Sequence, residues 1–337
     1  MKKHLGRIAA FAGLVISLWL FWRDNPGAVL ALMRAAGPGL VLAAIVHVLP
    51  MLANARDWQT LIRGANRPSF ARMLQLVWIR ESVNGMLPVA RIGGEITSFR
   101  LLRQRGLRAS TAMASLVVDM QLTLISQLLF TIAAIGYLVA HTVGDSLHLA
   151  TNLFWGTLAL APVLLLFALV QHANPFERLS QLLNRVASGQ LTALAGSSAH
   201  IDRAIKLVWR RHGVVLRYVF FWQTLQCLGT ALEIWIAVHF LGANISFLEA
   251  VVIESLIQAV SSAAFFVPGA LGVQEGGFVL IGSAFGLDPA TSLALAGARR
   301  VRDLLIYVPG LFAWQFAESS GGRRSYRTPA AAMDGRR

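Results

Sequence analysis

Phe265–Arg302, FFVPGALGVQEGGFVLIGSAFGLDPATSLALAGARRVR, decides the fold class. It is apolar overall, yet it contains Pro268, Gly269, Gly272, Gly276, Gly277 and Gly282 and an isolated acid, Glu275. It leads into a hydrophobic helix that carries Arg299, Arg300, Arg302 and Asp303. Gly and Pro break helices, and backbone left unpaired in lipid is too costly to persist. Irregular backbone in such a segment is therefore expected where protein buries it or water reaches it. The stretch reads as a re-entrant hairpin followed by a helix with charges inside a bilayer.

The rest of the chain agrees with a membrane class. Of 337 residues, 56% are hydrophobic and 14% charged, against about 45–50% and about 25% in soluble domains. The net charge of +14 is nearly all arginine and is spread over short loops, as cytoplasmic loops of membrane proteins are. That dispersal argues against a nucleic-acid partner, which would gather the charge on one soluble face. The single cysteine, Cys227, lies in an apolar run. It excludes an internal disulfide and a Cys-based metal cluster, and no cofactor is expected.

Candidate spans are Leu5–Trp22, Pro38–Ala55, Ala112–Ala140, Asn152–Gln171, Val214–Leu241 and Pro289–Ala317. Leu5–Trp22 follows a basic start like a signal peptide, but without an Ala-x-Ala site it is expected to stay as an anchor. Two interrupted apolar segments, about Met73–Ile92 and Phe247–Phe285, read as hairpins that enter and leave on one side. With that count, the arginines of Ala55–Arg72, Arg91–Arg108, Gln171–Gly213 and the tail all fall on the cytoplasmic side, and so do both termini. His141–Ala150 and Gly242–Ala250, with no Lys or Arg, fall opposite. Residues 172–213 read as interfacial amphipathic helices, one capped by Asn174 and one with Ile201, Ile205 and Val208 on a face. Residues 1–318 form one transmembrane domain, and 319–337 a disordered basic tail.

The two interrupted regions match at a constant offset of 180 residues: Ser82 with Ser262, Pro88 with Pro268, Glu95 with Glu275, Gly106-Leu107 with Gly286-Leu287, and Thr111 with Thr291. Two repeats result, about 38–130 and about 218–310. The span count orients them oppositely, so the fold expected is an all-α polytopic membrane protein of about six spans and two re-entrant hairpins in an inverted repeat. Transporters of that architecture place a site at the midplane.

Polar groups at membrane depth mark the candidate site. Arg299 to Asp303 lie about 15–20 Å into the last span, near the middle of a core about 30 Å thick. Each such charge costs at least about 2.5–3.5 kcal/mol. Asp303 cannot neutralise three arginines, so surplus positive charge for an anionic group such as phosphate is expected. Asp119 stands at the place equivalent to Arg299 and is expected to pair with it. Asp119 belongs to a stripe of Thr111, Ser115, Thr123 and Ser126, and Glu233 to a stripe of Gln223, Gln226 and Thr230; such stripes pack helices or line a cavity. Glu95 and Glu275 approach the site from opposite sides. His47 and Pro50 predict a kink in the second span. Pro88, Gly93 and Gly94, like Pro268, Gly269, Gly272, Gly276 and Gly277, predict hinges or tight turns.

Pro268-Gly269-Ala270-Leu271-Gly272-Val273-Gln274-Glu275-Gly276-Gly277, with Ala298-Arg299-Arg300-Val301-Arg302-Asp303 and Val308-Pro309-Gly310, resembles the flippase-like transmembrane region of lysylphosphatidylglycerol synthases. Within that group it is most similar to hopanoid-biosynthesis-associated membrane proteins, from about residue 5 to 318. The resemblance implies movement of a lipid with an anionic or polar head between leaflets of a bacterial inner membrane, beside hopanoid biosynthesis enzymes as possible partners. It does not carry over aminoacyl transfer, because no synthase domain follows Ala317 in this sequence.

Three functions remain open on sequence. A lipid flippase explains the repeat, the hairpins and the buried arginines. A headgroup-modifying membrane enzyme would use Glu275 or Asp119 as acid or base, but no nucleophile–base pair or metal-ligand spacing accompanies them, and an enzyme is not expected. A scaffold for hopanoid enzymes would dock partners through 172–213 and the tail.

Overall fold

The computed structural model describes residue 22 and residues 26–64, 66–87, 93–141, 192–264, 267 and 270–325. The expected spans Leu5–Trp22 and Asn152–Gln171, the helix capped by Asn174, and Pro88, Pro268 and Gly269 lie outside them. Every regular element among the described residues is helical: α1 (Pro26–Ala36), α2 (Pro38–Val46), α3 (Val48–Leu61), α4 (Phe70–Met86), α5 (Gly93–Gln104), α6 (Ala109–His141), α7 (Thr192–Trp209), α8 (His212–Arg217), a π-helical turn (Tyr218–Trp222), α9 (Gln223–Phe240), α10 (Phe247–Ala263), α11 (Val273–Ser283) and α12 (Pro289–Ser325). Two stretches among the described residues, Pro38–Leu61 and Ala109–His141, are long and apolar enough to cross a membrane.

Several boundaries differ from the sequence reading. The second candidate span runs to Leu61 and bends at His47, where α2 gives way to α3. Arg91–Arg108, read as a charged loop, holds α5, because Thr97, Ser98, Leu101 and Leu102 form a buried face while Arg100 and Arg103 point outward. The last helix extends to Ser325 and contains Pro309. Trp78 supports the turn that Pro309 disturbs, its Nε1 donating to the Ile306 carbonyl at 2.7 Å. α7, expected flat at an interface, packs its Ile205 and Val208 on α6, and Trp209 Nε1 donates to Gln121 at 2.9 Å. α6 covers that face.

The starts of α2, α5 and α6 lie 180 residues before those of the π turn, α11 and α12. Gly106 (φ 84°) and Gly286 (φ 75°) occupy the left-handed region at the ends of α5 and α11. Each closes the same cap, with Leu107 N–H donating to the Leu102 carbonyl at 3.2 Å and Leu287 N–H to the Gly282 carbonyl at 3.0 Å.

The interior divides into two apolar clusters. The first holds Leu40 and Ala43 of α2, the second half of α9 (Ala231–Val238), α10, α11 and the start of α12 (Leu293–Ala298). The second holds α3, α4, α5, the start of α6 (Ala112–Leu122), Ile205 and Val208 of α7, and Tyr218. α6 begins in the second cluster and reaches the first at Ala134 and Ile135. α12 begins in the first and reaches the second at Ile306–Ala317. The polar residues at 47–50, 123–127, 223–230 and 299–303 fall between the clusters along their helices, and with those at 80–84 of α4 and 254–258 of α10 they bound the cavity described next.

Candidate functional site

The layer between the clusters holds a partly open cavity of about 330 Å³. His47, Pro50 and Asn54 reach it from α2–α3, Arg80, Glu81 and Asn84 from α4, Thr123 and Gln127 from α6. The far wall is Gln223, Gln226 and Thr230 of α9, Glu254 and Gln258 of α10, and Arg299, Arg302, Asp303 and Tyr307 of α12.

Buried charge in such a layer calls for pairing, and the arginines are paired. Arg302, 7% exposed, donates from Nη1 to both oxygens of Glu233 at 2.9 and 3.0 Å. From Nε and Nη2 it donates to Asp303 Oδ1 at 3.0 and 2.6 Å. His47 Nδ1 lies 2.9 Å from Glu233 Oε2, and its Nε2 lies 3.4 Å from Tyr307 Oη and 3.8 Å from Glu81 Oε2. The bend at His47 thus turns a ring into the centre of the network. Arg299 pairs with Glu254 and stacks over the Phe278 ring at 5.3 Å. Arg300 turns away to α11, where Glu275 Oε1 accepts its Nη2 at 2.9 Å. Arg80 donates to Asp119 at 2.6 Å and to Asn54 at 2.8 Å, and lies 4.6 Å over Trp58. Tyr218 Oη donates to the other Asp119 oxygen at 2.8 Å.

Two sequence expectations fail here. Asp119 does not pair with Arg299. Each meets a charge from the first arm of its neighbouring hairpin, Arg80 of α4 for Asp119 and Glu254 of α10 for Arg299. The charges therefore swap sign between the halves but pair within each half. Nor is the cavity cationic. Among the described residues that line it, Arg80, Arg299 and Arg302 face Glu81, Glu254 and Asp303. The sequence count of Arg299, Arg300 and Arg302 against Asp303 alone missed Glu233, Glu254 and Glu275, each of which takes one arginine.

Arg299, Arg302 and Asp303 line the cavity, while Glu233 and Asp119 sit directly behind it through Arg302 and Arg80. Glu95 and Glu275 are set further back, both in the first turn of a hairpin's second arm. Glu95 accepts from Asn84 Nδ2 at 3.2 Å with each oxygen. Glu275 reaches back to the Gly272 N–H at 2.8 Å and so caps α11. Gly272 takes φ 77°, which a side chain rarely adopts. Gly93, Gly94, Gly276 and Gly277 are not turns but helical residues. Gly94 permits close approach, since a methyl group there would collide with the Arg80 carbonyl. His47, Arg80, Glu81, Glu254 and Tyr307 were not singled out as site residues, although Arg80-Glu81 and Glu254 are ionisable groups inside apolar runs and carried the signal that flagged Arg299.

A family model described as the lysylphosphatidylglycerol synthase TM region matches residues 10–310. A UPF0104 membrane protein of Pyrococcus horikoshii, PH1989, is 29% identical over 140 residues, 41% of this chain and 41% of that protein. The match thus spans less than half the length of that relative. No solved structure matches the chain.

Proposed function

We propose, for a chain that belongs to the family of the lysylphosphatidylglycerol synthase transmembrane region, that it moves phospholipid heads between the leaflets of a bacterial inner membrane. The family is a membrane family tied to lipid metabolism. The observation that carries the reading is the charge-balanced cavity between two apolar clusters, in a molecule that exposes Ile45, Ile132, Phe220, Leu304 and Phe312 on its surface. A cavity of 330 Å³ is in the size range of small-molecule sites. Three arginines beside three carboxylates suit a head that carries both signs, phosphate on the guanidinium groups and ammonium on the acids, as an aminoacylated phosphatidylglycerol does.

An apolar groove of about 770 Å³, lined by Leu49, Leu52, Leu225, Leu228 and Leu232, supports the same reading. It flanks the α3–α9 seam, whose residues Pro50, Gln226 and Cys227 also border the polar cavity, and it suits an acyl chain. The seam is tight because Gly229 faces Pro50: a methyl group there would stand 2.9 Å from the proline ring.

The proposed topology is about six spans and two re-entrant hairpins, α4–α5 and α10–α11, with both termini cytoplasmic. Its inversion is supported by the direction of the paired helices: α6 runs from the second apolar cluster to the first and α12 from the first to the second, at an offset of 180 residues. The reading is transport without chemistry, since each arginine of the site is paired with a carboxylate of another residue. The resemblance to hopanoid-associated proteins makes hopanoid-producing membranes the proposed setting.

The test is leaflet exchange in proteoliposomes doped with fluorescent lysyl-phosphatidylglycerol or phosphatidylglycerol. The aminoacylated lipid is expected to exchange faster, and Arg302→Ala to abolish exchange when compared at matched amounts of folded protein. Equal exchange by wild type and Arg302→Ala contradicts the proposal.

A further inference from the structure

Behind the cavity wall lies a carboxylate that the ion-pair network does not use. Asp57 of α3 is 0% exposed. Its Oδ2 accepts from Gln223 Nε2 at 3.0 Å and from Gln226 Nε2, and its Oδ1 has no hydrogen-bond partner. No Lys, Arg or His among the described residues lies within ion-pairing distance of it. The charged and titratable groups that face it are Arg80 of α4, Asp119 of α6 and Tyr218 of the π turn. Arg80 is already engaged, bonded to Asp119 at 2.6 Å.

Two buried carboxylates thus stand near one guanidinium, which is bonded to only one of them. If both were ionised, the cluster would hold a net negative charge in an environment that solvates it poorly, and one proton removes that charge. The ligand set of Asp57 fits a proton that comes and goes. A glutamine amide carries both a donor and an acceptor. Turned one way Gln226 donates to a carboxylate, and turned the other it accepts from a carboxylic acid. Gln223 and Gln226 also line the cavity, so the two side chains that would turn are those that touch its contents.

We propose that Asp57 is a proton-binding site that couples lipid movement to a proton gradient. The acid holds one proton taken from water on one side through the cavity. It releases that proton to the other side as the head passes, returning to the carboxylate held by Gln223 and Gln226. The coupling rests on the translocation reading above, whereas the proton site does not.

The test uses the full-length protein in nanodiscs of phosphatidylglycerol and phosphatidylethanolamine, as wild type and Asp57→Asn. Infrared spectroscopy is expected to show the C=O stretch of a protonated carboxyl group that Asp57→Asn removes. The unfolding temperature is expected to be retained, because a neutral amide replaces a neutral acid of the same shape. In vesicles of the same lipids with a fluorescent phosphatidylglycerol, a gradient of one pH unit is expected to change the leaflet ratio by up to about tenfold for one proton per lipid. Asp57→Asn is expected to move lipid without responding to the gradient. A wild type without that band, or a band that survives Asp57→Asn, overturns the proton site whatever the lipid does. A wild type that moves lipid but ignores the gradient overturns the coupling. A wild type that moves no lipid overturns translocation and coupling together, and the infrared result still decides the proton site.

Discussion

Arg80 and Asp119 define what one residue is worth in this layer. Both are buried, and each satisfies the other at 2.6 Å. Removing either alone leaves an uncompensated buried charge, at about 3–5 kcal/mol. A double-mutant cycle on Arg80→Ala and Asp119→Ala, read from denaturant unfolding in detergent, is expected to give a coupling of about 0.5–3 kcal/mol. The same cycle on Asp119→Ala and Arg299→Ala is expected to be additive within about 0.5 kcal/mol, since these residues have separate partners. Coupling in the second cycle and none in the first would restore the pairing across halves. The arginines of α12 were legible in the sequence because charge inside an apolar helix demands an explanation. Their partners were not: Glu254 is 45 residues from Arg299, Glu233 is 69 from Arg302 and His47 is 255 from it. Only packing brings such residues together, and no periodicity records it.

At the scale of elements, close approach of α12 to α4 holds the site wall. Gly310 follows Pro309, and a methyl group there would collide with Ser82 Oγ and stand 2.9 Å from Trp78 Nε1. Gly310→Ala is therefore expected to destabilise by about 1–3 kcal/mol as overpacking. Gly136, also helical but with nothing within 4 Å of the added methyl group, provides the control: Gly136→Ala is expected to stabilise by about 0.5–1 kcal/mol. Thermal unfolding of both variants in detergent checks the pair, and equal effects would mean that the α4–α12 contact is not tight. The 180-residue match in the sequence anticipates the shared starts and the twin caps at Gly106 and Gly286. α5 was misread because its arginines resemble a loop when its buried Thr97, Ser98, Leu101 and Leu102 are not counted together as a helix face.

For the whole molecule, α6 and α12 run in opposite senses between the two apolar clusters, as the proposed inversion of two halves requires. The arginine-rich end gathers Arg63, Arg67, Arg105 and Arg211; Arg211 donates to the Thr60 carbonyl at 2.8 Å and Arg105 to Gln75 at 2.9 Å. The opposite end, Gly242–Ser246, carries no Lys or Arg. With Cys227→Ser as background, a cysteine introduced as Ser69→Cys is expected to label from the cytoplasm and one introduced as Asn244→Cys from outside. Labelling of both from one side would refute the inversion. That the chain is a membrane protein was legible in its composition and its long apolar runs. That its centre is charge-balanced was not, because counting arginines on one helix omits the acids that other helices bring.

The account stands on the cavity as the route of the lipid head. Thr230 lines it, and an indole at that position would fill much of a 330 Å³ space. Leaflet exchange of fluorescent lysyl-phosphatidylglycerol in proteoliposomes, compared between wild type and Thr230→Trp at matched folded protein, is the direct measurement. The expected result is rapid exchange by wild type and background exchange by the filled variant. Exchange at the wild-type rate through a filled cavity would contradict the account.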